Sequence, residues 1–175
     1  MSNPAIRSAA LADIPAITNI YDHEVRTGTA TFELTPPDTT EMTRRFNALQ
    51  EGGFPYLVAT IEGRVVGYAY AGPYRPRPAY RFTVENSVYL APSSHRRGIG
   101  TALMIELIAQ SEVRGYRQMI AVIGDSANAG SVALHARTGF QMIGTHPNVG
   151  FKFGRWLDTV MMQRALGAGA TTVPA

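Results

Sequence analysis

The residues from Val88 to Thr101 read Val-Tyr-Leu-Ala-Pro-Ser-Ser-His-Arg-Arg-Gly-Ile-Gly-Thr. A β-branched and aromatic run passes through a basic glycine turn into what reads as a helix. Gly98 and Gly100 have no Cβ, so the main chain there can approach a ligand closely. The N–H groups of Gly98, Ile99, Gly100 and Thr101 can converge on one anion. The positive end of the helix dipole favours a phosphate at that point. Arg96 and Arg97, next to His95, add guanidinium donors suited to phosphate oxygens. The segment is therefore expected to hold a pyrophosphate; the plainer alternative is a glycine turn with surface arginines.

Two phosphate motifs are excluded. A Walker loop needs a Gly-Lys-Ser/Thr ending, which is absent. A dinucleotide fingerprint needs a third glycine where this chain has Leu103, and no acidic residue follows at the required distance. No metal site is expected: the chain has no cysteine, and His23, His95, His135 and His146 form no ligand pair at i, i+4 or His-x-His spacing.

A chain of 175 residues, 45% hydrophobic, fits one domain with a proper core. We place that domain at residues 1–166, followed by a small, polar tail, 167–175, expected to be disordered. The absence of cysteine fits a reducing cytoplasm. The first residues carry no signal pattern, and no apolar run approaches membrane-spanning length, so no membrane partner is expected. A net charge of +3 suits an anionic ligand. The basic residues form neither a helical stripe nor a tail, which argues against nucleic acid.

The elements that must position the loop follow from periodicity and punctuation. Strands are expected at residues 6–8, 56–61, 64–71, 82–90, 118–123, 141–145 and 156–166. Helices are expected at 13–23, capped by Asp13, and at 38–50, with Thr35 and Asp38 as a capping box. Two more are expected at 98–114, closed by Gly115, and at 128–138, ended by Gly139. The order predicts an α/β (α+β) fold, a mixed sheet of about seven strands flanked by four helices, with a parallel pair around the basic turn.

The turn, read as Gln/Arg-x-x-Gly-x-Gly/Ala with His95 in the first place, resembles the acetyl-CoA loop of the GNAT N-acetyltransferases. Asn128-x-x-Ser131-x-x-Leu134-His135-x-x-x-Gly139-Phe140 and the element order strengthen the resemblance, which covers about residues 5–166. Three stretches look closest to the phosphinothricin and methionine sulfoximine N-acetyltransferase subfamily. They are Thr29-Ala30-Thr31-Phe32-Glu33, then Tyr74-Arg75-Pro76-Arg77 with Val84-Glu85-Asn86-Ser87-Val88-Tyr89, then residues 150–158 from Gly150 to Asp158.

This resemblance implies transfer of an acetyl group from acetyl-CoA to the α-amine of a small glutamate-like amino acid, in a cytoplasmic homodimer. The acceptor alternative is a protein N-terminus, a lysine or another small amine. A base must take the proton of the amine, and Glu85, inside an apolar strand, fits that role; its alternative is a carboxylate on a solvent face. The resemblance also gives Leu90 N–H as the oxyanion donor, and His135 or a tyrosine as proton source for the thiolate. It places Val88, Tyr89, Leu90, residues 95–101, Asn128 and Ser131 against acetyl-CoA. Asn128 can equally be a helix cap, and His135 a helix histidine bonded to backbone. Arg75 and Arg77, in a loop stiffened by Pro76 and Pro78, suit the acceptor's carboxylate, or else form a solvated loop. Phe32 walls the acceptor pocket or belongs to the core. His146, Lys152 and Trp156 receive no role from their chemistry.

Overall fold

The computed structural model describes residues 4–174. Among them seven strands and four α-helices alternate as β1 (Ala5–Ser8), α1 (Ile14–Thr27), α2 (Thr39–Glu51), β2 (Tyr56–Ile61), β3 (Arg64–Pro73), β4 (Thr83–Leu90), α3 (Ile99–Val113), β5 (Gln118–Gly124), α4 (Ala129–Arg137), β6 (Gln141–Lys152) and β7 (Arg155–Ala165). The strands form one sheet in the order β1-β2-β3-β4-β5-β7-β6. Every pairing is antiparallel except β4 with β5, which the α3 crossover makes parallel.

The sheet is covered on both faces. On one, Ile99, Leu103, Met104 and Leu107 of α3 pack on Leu57, Ala69, Val84 and Met119. On the other, Ile14, Ile17, Tyr21 and Val25 of α1, with Met42 and Phe46 of α2, pack on Tyr56, Val58 and Tyr68. Strand alternation holds along β4: Val84 belongs to the α3 side, and Tyr89 packs against the α1 side.

Three local readings change. Asp13 does not cap α1 with its side chain; its carboxylate accepts from Arg7 at 2.7 Å and from Ala10 N–H at 2.8 Å, fastening β1 to the turn that follows. The α2 cap is Asp38, whose Oδ1 accepts from Glu41 N–H at 2.8 Å, rather than a box shared with Thr35. The α1 helix continues past His23 to Thr27, helped by the Arg26–Asp22 pair one turn apart.

The largest difference is β6, which runs through to Lys152 instead of ending at Thr145. Its register breaks between Met142 and Gly144 and again between His146 and Gly150. Pro147 lies within the second break. An edge strand with a bulge is where a sheet accommodates proline. After β7, Leu166 is fully buried, residues 167–170 form turns and the chain bends at 171–172. There Arg117 donates to Gly169 O at 3.4 Å and Thr172 Oγ1 at 3.0 Å. Ala175 lies outside the described residues.

Leu103 has no exposed surface and stands where α3 meets the sheet. Leu103→Ala should destabilise the fold by about 2–5 kcal/mol, measured by denaturant unfolding. A loss under about 1 kcal/mol would mean that α3 is not packed as described.

Candidate active site

The parallel ladder between β4 and β5 is short. Its last rung pairs Asn86 with Ala121. Beyond it, β5 continues only against β7, and β4 continues only against β3 up to Leu90. The two strands therefore part, leaving one edge of each unpaired in the middle of the sheet. Ala91 N–H bonds Val66 O on β3 at 2.9 Å. Alternation along the strand then turns the N–H groups of Leu90 and Val88 toward the gap.

A cleft of about 810 Å³ opens at this gap. Val88, Tyr89 and Leu90 form one wall. His95, Arg96, Gly98, Ile99, Gly100 and Thr101 form its basic end, and Asn128 and Ser131 close the α4 side. Among the residues expected at the anion loop, only Arg97 is missing from this lining. Glu24, Thr29 and Ala30 line the end toward α1, so the cleft passes from one face of the sheet to the other.

The loop geometry has local causes. Arg96 and Gly98 both take left-handed backbone conformations, at φ +58° and +77°. A Cβ at residue 98 would meet no protein atom within 4 Å, so within the chain the need for glycine is conformational. No side chain caps α3, which leaves its first N–H groups facing the basic end. Asn128 caps α4, accepting from Ser131 N–H at 3.2 Å, and it also stands on the wall of the cleft.

Glu85 pairs with Ile120 one rung below the parting and is half-buried. Burial lifts its carboxyl above the ordinary range, and the nearby Arg75 guanidinium pulls partly the other way. Arg75 lies over the Tyr74 ring, 4.9 Å from its centre. Tyr70 is paired opposite Ser87; burial raises its phenol pKa, and the nearby Glu85 charge adds to the rise. The structure thus brings Glu85 and Arg75 together. Arg77 is exposed and begins the short turn Pro78–Tyr80.

His135 is buried, on the opposite face of β4 from Glu85. Its Nε2 meets Asn86 Oδ1 at 2.9 Å, and its Nδ1 lies 2.8 Å from Ser131 O. Burial pushes its pKa below the usual value. It lines a small pocket of about 40 Å³ that adjoins the cleft through Val88, Tyr89, Asn128 and Ser131.

The segment after α1 is held over the gap by residues given no role from sequence. Lys152 is buried, and its Nζ donates to Gly28 O at 2.8 Å and Thr31 O at 2.9 Å. Asp125 accepts from Thr29 Oγ1 at 3.0 Å and from Arg155 at 2.6 Å. The Phe32 ring covers Gly150 so closely that a Cβ there would collide with it, and a Cβ at Gly124 would collide with Thr29 O and press on the same ring. Phe32 itself is part-exposed and does not line the cleft. Trp156 is exposed and packs on Phe151, with ring centres 5.2 Å apart; His146 is exposed on β6. Among the described residues no group of three or more His, Asp or Glu could hold a metal, and no helix is long and apolar enough to cross a membrane.

Comparison with known proteins places this geometry. The acetyltransferase (GNAT) domain family matches residues 6–161. A phosphinothricin N-acetyltransferase of Alcaligenes faecalis is 57% identical over 162 residues, covering 93% of this chain and 82% of that protein. An L-methionine sulfoximine/L-methionine sulfone acetyltransferase of Pseudomonas paraeruginosa is 42% identical over 160 residues, covering 91% and 92%. The crystal structure of a phosphinothricin acetyltransferase from Sinorhizobium meliloti in complex with AcCoA matches with a TM-score of 0.96 and 49% identity, over 100% of this chain and 94% of that one. The chain belongs to the GNAT acetyltransferase family.

Proposed function

We propose that the protein moves the acetyl group of acetyl-CoA to the α-amine of a small glutamate-like amino acid, such as phosphinothricin, methionine sulfoximine or methionine sulfone. The observation that carries this reading is the through-sheet gap. Its basic end is an uncapped helix start beside Arg96, and just below the parting stands the desolvated carboxyl of Glu85 with Arg75.

In this reading the pyrophosphate sits on the N–H groups at the start of α3, with His95 and Arg96 beside it, while Arg97 stands outside the cleft lining. Asn128 and Ser131 flank the pantetheine arm. Val88 and Tyr89 bracket the thioester, and Leu90 N–H donates to the developing oxyanion. Glu85 takes the proton of the acceptor's ammonium, directly or through water. The freed amine forms the C–N bond, the C–S bond breaks, and the proton still in excess on the nitrogen passes, directly or through water, to the departing thiolate. Arg75 and Arg77 receive the acceptor's carboxylate, and Phe32, packed over Gly150, steadies the segment that carries Thr29 and Ala30 on the α1 side. The exposed Ile143, Val149, Phe151, Phe153 and Trp156 on the β6–β7 edge support a homodimer, and we place the protein in the cytoplasm.

The test is thiol release from acetyl-CoA by the purified protein with the sulfoximine, sulfone and phosphinothricin, beside a polyamine and a short peptide. Saturable release with the first three is expected. Activity on the polyamine or peptide alone would overturn the acceptor assignment.

With the sulfone as acceptor, kcat/KM should rise with pH as Glu85 loses its proton, at a pH above the ordinary carboxylate range. Glu85→Gln should abolish that limb and lower turnover by about 10²–10⁴-fold, with acetyl-CoA affinity retained. An unchanged profile would remove Glu85 from the base role. Arg75→Ala should raise KM for the amino acid and leave KM for acetyl-CoA unchanged, as read from steady-state kinetics; equal KM values for both substrates in variant and wild type would exclude the arginine from the acceptor site.

A further inference from the structure

Asn86 breaks the pattern of its own strand. It lies between Val84 and Val88 on the face that packs against α3 and α4, yet it is polar and buried. A buried amide must find partners or destabilise the fold. Its Nδ2 donates across the ladder to Ile120 O at 3.0 Å. A carbonyl can only accept, so this bond fixes which end of the amide is which. Oδ1 is therefore the atom 2.9 Å from His135 Nε2, and that nitrogen must carry hydrogen.

The other ring nitrogen is also occupied. Nδ1 lies 2.8 Å from Ser131 O and 3.4 Å from Ser131 Oγ. By the same rule Nδ1, facing a carbonyl that only accepts, carries hydrogen when it bonds Ser131 O, so the two contacts together are those of the charged ring. In the neutral ring Nδ1 gives up that bond and can accept from the Ser131 hydroxyl instead. Nε2–H stays on Asn86 in both states, so no ring N–H is free for a group in the cleft. The ring is further fixed edge-on to Phe140, 5.0 Å between centres.

Asn86 stands on the last rung of the parallel ladder, one step before β4 and β5 part. We propose that Asn86 and His135 are a positioning pair: the amide ties β4 to β5 at the final rung, and the imidazole ties that amide to α4. Together they set where the strands separate, and hence the aim of the Val88 and Leu90 N–H groups. The pair does not touch the reacting atoms in this assignment. Its kinetic consequences rest on the proposed acetyl transfer.

The test compares Asn86→Ala, His135→Ala, His135→Gln and the double alanine variant with wild type. Readouts are kcat on methionine sulfone, KM for both substrates, the pH profile and Kd for CoA. A small displacement of the reacting geometry costs on the order of 10²-fold in rate. Asn86→Ala and His135→Ala should each approach that loss in kcat, with Kd for CoA nearly unchanged. The double variant should be no worse than either single one, because both remove the same tie. His135→Gln keeps an amide N–H for Asn86 and has no titrating proton, so it should restore most of the turnover and leave the pH profile unchanged. If His135→Gln falls as far as His135→Ala while Asn86→Ala stays near wild type, the histidine is a proton donor and the pair is not the tie.

A second readout needs no activity. Long-range nitrogen NMR of the wild-type protein should show hydrogen on Nε2 of His135. An unprotonated Nε2 would overturn the proposal. A wild type silent with every acceptor would overturn the acetyl-transfer reading, and the NMR result would still decide the pair.

Discussion

The site depends on a ladder that stops early. Parallel strands β4 and β5 share hydrogen bonds only as far as Asn86 and Ala121, and each then continues with its outer neighbour alone. Unpaired N–H groups inside a sheet are costly unless something satisfies them. Here they line an open cleft, so a ligand with acceptor atoms can complete the broken ladder. The antiparallel neighbours on both sides hold the two strands in place while they part. The gap is therefore a property of the whole sheet, not of a flexible loop.

Around that gap the chain arranges opposite chemistries on opposite faces. The α3 side carries the left-handed turn at Arg96 and Gly98, the uncapped helix start and the positive side chains. The α1 side carries the half-buried carboxyl of Glu85, Tyr70 and Arg75. An anionic donor and an acceptor amine can thus approach from different directions and meet between β4 and β5. Lys152, Asp125 and the Phe32 ring fasten the segment after α1 across the far end, linking it to the β6–β7 hairpin.

Much of this was legible in local pattern. The anion loop announces itself by contiguous residue types, and Glu85 by a charge within an apolar run. For β6 the expected strand stops at 145, short of Pro147 and Asn148, whereas the edge strand absorbs both in its second register break and runs on to Lys152. Lys152 was opaque for a different reason: its partners, Gly28 O and Thr31 O, lie more than a hundred residues away in sequence. Phe32 reads as wall or core with equal justice until Gly124 and Gly150 are seen beneath its ring. Asn86 did leave a signal, a polar residue at an apolar position of the alternation, but its meaning required the location of the last rung.

The most direct measurement is amide hydrogen exchange at single residues along β4, with and without acetyl-CoA. Without ligand, Val88 and Leu90 should exchange much faster than Tyr89 and Ala91, whose N–H groups face β3. Saturating acetyl-CoA should slow Val88 and Leu90, together with the amides at the start of α3. Protection of Val88 and Leu90 before ligand is added, or fast exchange at both when acetyl-CoA is saturating, would contradict a site built on the broken ladder.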